Sequence, residues 1–74
     1  MIFLVHYDAT RNQLVSLRSF ADSEREAARS ARLELEVQIG DRLNTEEVVL
    51  LEASNEHQIR QTHGRYFGRV AATQ

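Results

Sequence analysis

From Ile2 to Tyr7 the chain reads Ile-Phe-Leu-Val-His-Tyr, apolar at every position except His6. A strand turns successive side chains to opposite faces of its sheet. A strand written this way is apolar on both faces, and both must be covered. The run Val48-Val49-Leu50-Leu51 makes the same demand. The chain must therefore place a layer on each side of its sheet, or borrow one from another chain.

Around these two runs the remaining elements fall into place. Asp8 to Asn12 is polar and turn-forming. Gln13 to Phe20 reads as a second strand, with Val15 and Leu17 on one face and Leu14 and Phe20 flanking Ser16 and Arg18 on the other. The five-residue connection makes the first two strands an antiparallel hairpin. Ser23 followed by Glu26 fits a capping box. Ala27, Ala28 and Ala31 then favour helix. Asp41 to Glu46 reads as a loop, and Asn55 with Gln58 as the cap of a second helix. Ile59, His63, Tyr66 or Phe67, and Val70 recur at helical spacing, interrupted by Gly64.

The ambiguous segment is Leu33-Glu34-Leu35-Glu36-Val37-Gln38-Ile39, where apolar and polar residues alternate as in a strand. No turn residue separates it from the Ala-rich run before it, and Gly40 supplies the first stop signal after it. Glu is depleted in strands, whereas Leu, Glu and Gln are good helix formers. We therefore read one long helix. On a helix, Ala27, Ala28, Ala31, Leu35 and Ile39 form one apolar stripe, and Arg25, Arg29, Arg32 and Glu36 a charged stripe beside it. Leu33 and Val37 form a second, shorter apolar stripe on nearly the opposite side, where one sheet face does not reach.

The expected fold is α+β, ordered β-β-α-β-α. It has a three-stranded mixed sheet in the order 2-1-3, with 1-2-3 as the alternative, and two helices. A right-handed crossover through the long helix lays the third strand parallel to the second. Residues 1–70 form a single domain and 71–74 a frayed tail. Seventy-four residues bury only a modest core, and small domains often add a partner chain to stabilise it. The excess apolar surface points to a homodimer that uses Leu33 and Val37, a free sheet face, or both. The competing expectation is a monomer whose second helix folds over Leu33 and Val37.

Composition limits the chemistry. There is no cysteine, which excludes disulfides and thiolate metal sites and fits a reducing cytosol. No stretch approaches the roughly 20 apolar residues of a membrane span, and the start lacks the basic opening and cleavage pattern of a signal peptide. These features lead to the expectation of a cytoplasmic protein without membrane attachment. The net charge of −2 argues against bulk attraction to nucleic acid. All nine basic residues are arginine. Nine acids against four arginines from Asp22 to Ala53 give −5, and one acid against three arginines from Ser54 onward gives +2.

His57 and His63 are six residues apart, which is not the spacing that places two metal ligands on one helical face. No serine lies in a nucleophile elbow and no glycine-rich phosphate loop is present. No catalytic residue, metal or cofactor is expected. The residues with binding chemistry are Arg60, His63, Arg65, Tyr66, Phe67 and Arg69, since arginine and aromatic groups together grip phosphates and stack on bases. The run from Gly64 to Val70 resembles, in composition though not in order, the basic-aromatic strand motif of RNA-recognition domains. It follows a helix instead of lying on a central strand. The function expected is a homodimeric protein-interaction module without catalytic activity, with a protein partner as a further expectation. An RNA- or DNA-binding accessory protein using Arg60, His63, Arg65, Tyr66 and Arg69 is the alternative. A small enzyme or ligand-binding module, with His63 and Tyr66 as polar groups, stands third.

Overall fold

The structure is a computed structural model, and it describes residues 1–67. Strand β1 (Ile2–Asp8) lies between β2 (Gln13–Phe20) and β3 (Glu46–Glu52), so the order is 2-1-3. Both pairings are antiparallel. The sheet is therefore antiparallel throughout and not mixed. β2 and β3 do run in the same direction, as the crossover requires, but β1 separates them.

The hairpin turn is held by the Asp8 carboxylate. Its Oδ1 accepts bonds from the backbone amides of Thr10 (3.0 Å) and Arg11 (3.2 Å) and from the Thr10 hydroxyl (2.7 Å). Asn12 closes the turn with φ 54°, a conformation that asparagine tolerates. The Asn12 side chain accepts a bond from the Tyr7 hydroxyl.

Strand β2 departs from simple alternation. His6 pairs with Ser16, but Tyr7 pairs with Leu14, which leaves Val15 as an extra residue in a bulge. The bulge puts Leu14 and Leu17 on the same face and leaves Val15 exposed. The expected sharing of a face by Val15 and Leu17 is corrected accordingly.

Helix α1 (Arg25–Ile39) runs through the ambiguous segment, so the alternation there is helical. Gly40 ends it with φ 57°, its amide donating to the Glu36 carbonyl. The start differs from expectation. A 3-10 turn over Asp22–Glu24 precedes α1, and the Glu24 carboxylate reaches back to the Ala21 amide at 2.8 Å. The reach-back thus spans Ala21 and Glu24, two residues earlier than Ser23 and Glu26. Ala28, Ala31 and Ile39 are buried and Leu35 half-buried, while Ala27 is exposed. The region read as a loop after α1 is a 3-10 helix over Gly40–Asn44.

Helix α2 (Glu56–Thr62) begins at Asn55, whose Oδ1 accepts the Gln58 amide at 2.8 Å, as expected. It stops before Gly64, and the chain continues as a 3-10 turn over Gly64–Phe67. Val70, Arg69 and the tail 71–74 lie outside the described residues.

The core has two layers, one on each sheet face. On one face Ile2, Leu4, Phe20 and Val48 pack with Ala28, Ala31 and Ile39 of α1. On the other, Phe3, Val5 and Tyr7 pack with Ile59 of α2 and with Tyr66 and Phe67. The second helix therefore crosses to the far face. This removes the arrangement in which it covers Leu33 and Val37. Among the described residues, no helix is long and apolar enough to cross a membrane.

Candidate interaction surface

Both faces of the sheet are covered by the chain itself. Among the described residues the two most exposed large apolar side chains, Leu33 and Val37, share one surface of α1, while Met1, Val15 and Leu43 are exposed outside that helix. Leu33 is 62% exposed and Val37 80% exposed. They stand one turn apart on α1 and point away from the sheet. Two shallow depressions flank them, one lined by Leu33, Glu34, Val37 and Gln38, the other by Arg29, Arg32, Leu33 and Glu36. Ion pairs run along the charged flank: Arg29 to Glu26 at 3.7 Å and Arg32 to Glu36 at 3.3 Å. Exposed pairs of this kind contribute about 0–1 kcal/mol and exchange readily with other partners.

The arginine and aromatic residues near the C-terminus are brought together, but they are turned to internal use. Tyr66 and Phe67 are buried against the sheet. Arg65 makes a two-pronged contact with Glu47 of β3, 3.2 Å to each carboxylate oxygen. Its guanidinium lies 4.5 Å from the Tyr66 ring centre. Tyr66 packs edge-on to Tyr7 at 5.4 Å, and its hydroxyl approaches Glu47 at 3.4 Å. Arg60 holds Glu56 at 2.7 Å and stacks 4.5 Å from the centre of Phe67. His63 is half-buried, its amide bonded to the Ile59 carbonyl at the helix end. The group is a latch that holds the last described turn against the sheet. The run that resembles an RNA-recognition strand motif forms a 3-10 turn over its first four residues. Glu47 escaped the sequence reading. The alternation along β3 was its one signal, because it places Glu46 and Glu47 on opposite faces.

Arg65 hydrogen-bonded to Glu47 holds that carboxyl below its ordinary value of 4.5, against a smaller opposing effect of burial. A carboxyl depressed in the folded state stabilises the fold above its unfolded value, and the effect is lost as pH falls through the folded value. The latch should therefore weaken as pH drops below about 4.5. The pair is partly exposed, so the effect is about 0.5–1 kcal/mol. Acid unfolding followed by circular dichroism should show a Glu47→Gln variant less stable at neutral pH. Its deficit should shrink as pH falls through the lowered Glu47 value, where the native carboxyl is also protonated.

The histidines separate by environment. His6 is buried, His57 exposed and His63 half-buried. His6 Nε2 lies 2.6 Å from Glu46 Oε1, and Glu46 Oε2 lies 3.3 Å from Arg42. No group of three histidine or carboxylate side chains gathers at metal-binding distance among the described residues.

No protein-family model, curated protein or solved structure gives a significant match to the chain.

Proposed function

We propose that this chain is a small protein-interaction module that acts as a homodimer through the outer face of α1. The observation that carries the reading is the exposure of Leu33 and Val37 when both sheet faces are already covered. A long helix with two apolar stripes has spent only one of them on its own core. A second copy supplies the same stripe in return, which is the self-complementary contact of a two-fold dimer.

Two side chains are a small patch. Stable interfaces bury about 800 Å² per partner, so contact must spread over the charged flank as well. The dimer is expected to be weak, with dissociation on the order of micromolar or above. Size exclusion with light scattering over a concentration series tests this. The unaltered chain should approach twice its monomer mass at high concentration. Leu33→Glu and Val37→Glu should each hold it at monomer mass with an unchanged circular dichroism spectrum. A monomeric mass for the unaltered chain at every concentration removes the reading.

Nucleic-acid binding draws less support. Arg60 and Arg65 already meet Glu56 and Glu47, and Tyr66 offers no free face for a base to stack on. Arg69 lies outside the described residues.

A further inference from the structure

On the α1 side of the sheet, β2 joins the core only through Phe20 among the described residues. The hairpin register sets Ser16 beside His6 and Arg18 beside Leu4, which turns Ser16 and Arg18 to the face that α1 packs on. Between the middle of β2 and the neighbouring flank of α1 lies a cleft of about 130 Å³. Leu4 and Ala31 form its floor, Ser16 and Arg18 one lip, and Glu34 and Gln38 the other. Glu34 and Gln38 stand one helical turn apart, so both reach the same side.

Both charges at the lips lack partners among the described residues. Of the eight described arginines, seven are in ion pairs and Arg18 is not. Its guanidinium lies 5.0 Å from the centre of the Phe20 ring, which restrains it beside the cleft. On α1, Glu26 and Glu36 are taken by Arg29 and Arg32, whereas the Glu34 carboxylate meets no partner among the described residues. Arg18 and Glu34 share the cleft without meeting each other. We infer that the cleft binds a small free amino acid, with its carboxylate on Arg18 and its ammonium group on Glu34. A lone anion satisfies Arg18 but is repelled by Glu34, and a lone cation meets the reverse, whereas a zwitterion satisfies both. Ser16 and Gln38 supply further hydrogen-bonding groups at the rim. The space equals that of about four waters, too little for a nucleotide or a second folded chain. The site is separate from the homodimer reading, because neither Leu33 nor Val37 lines it.

The test is a titration of the isotope-labelled chain followed by amide nuclear magnetic resonance at neutral pH and constant ionic strength. The probes are glycine, β-alanine and γ-aminobutyrate, which carry the same two charges at increasing separation. Acetate and ethylammonium, each added alone, are the single-charge controls. At least one amino acid should shift the amides of Ser16, Arg18, Glu34 and Gln38 saturably, with a dissociation constant on the order of millimolar, since both lips are exposed. Each control should bind at least about tenfold more weakly, because it leaves one charge unmet. Arg18→Gln and Glu34→Gln should each weaken binding by at least about tenfold. Both positions are exposed, and circular dichroism verifies that the variants fold. Shifts that fail to saturate with all three amino acids overturn the inference. So does acetate or ethylammonium binding as tightly as the amino acid, or an unchanged dissociation constant in either variant.

Discussion

Replacing Ile59 with alanine should lower the unfolding free energy by about 2–5 kcal/mol. Ile59 is fully buried and is the one residue of α2 in the core of the far sheet face. It packs among Phe3, Val5, Tyr7, Tyr66 and Phe67. Truncation removes its transfer free energy and leaves a cavity that a short helix fills only in part. A domain of this size has a total stability of about 4–11 kcal/mol, so the loss takes a large share. Urea unfolding should show a lower midpoint with an unchanged slope. A loss below about 1 kcal/mol would mean that α2 is not what closes the far face. The same experiment bears on the dimer reading, which needs that face closed by the chain itself.

The second large effect is expected at His6 and Glu46. Their side chains are 8% and 13% exposed, and they contact at 2.6 Å. Glu46→Ala leaves the buried imidazole Nε2 without its partner and should cost about 1–3 kcal/mol. His6→Ala should cost a similar amount, because the Glu46 carboxylate keeps Arg42 but loses its inner contact. The double variant His6→Ala with Glu46→Ala should lose less than the two single losses combined, since removing both leaves neither partner unpaired. The four proteins of this cycle, unfolded in urea under one condition, measure the coupling. Additive losses would show that the contact holds nothing. Because β1 and β3 pair through these residues' strands, the coupling also reports how the region around the α1–β3 connection is held.

Much of the fold was legible because its signals are local. The double-faced runs at Ile2–Tyr7 and Val48–Leu51 define strands that need two covers. Gly40 as a helix stop and Asn55 as a cap follow from backbone geometry and orphan amides within a few residues. The long helix was legible for the same reason: no residue between Arg25 and Ile39 breaks it. The bulge at Val15 was not legible, because an extra residue in β2 is defined only against its partner strand. The capping box was misplaced by two residues because Ala21 offers no capping side chain, and the Glu24 reach-back to its amide shows only in the fold.

The candidate surface divides in the same way. That Leu33 and Val37 lie opposite the main stripe of α1 is a property of helical period, and seven residues of sequence suffice to show it. That they remain exposed depends on where α2 goes. The arginine and aromatic cluster was legible as a group but not as a latch. Arg65 meets Glu47 across 18 positions of sequence, and Arg60 stacks on Phe67 only because α2 and the following turn fold over the sheet.

The sequence by itself determined the elements, their order and the two apolar stripes of α1, because period, caps and stops act over a turn or two. Only the tertiary structure decided which sheet face α2 covers, how the arginines are partnered and which stripe stays open. Those outcomes rest on the burial of Phe3, Val5 and Tyr7 against residues more than fifty positions away, and such contacts leave no mark on local period.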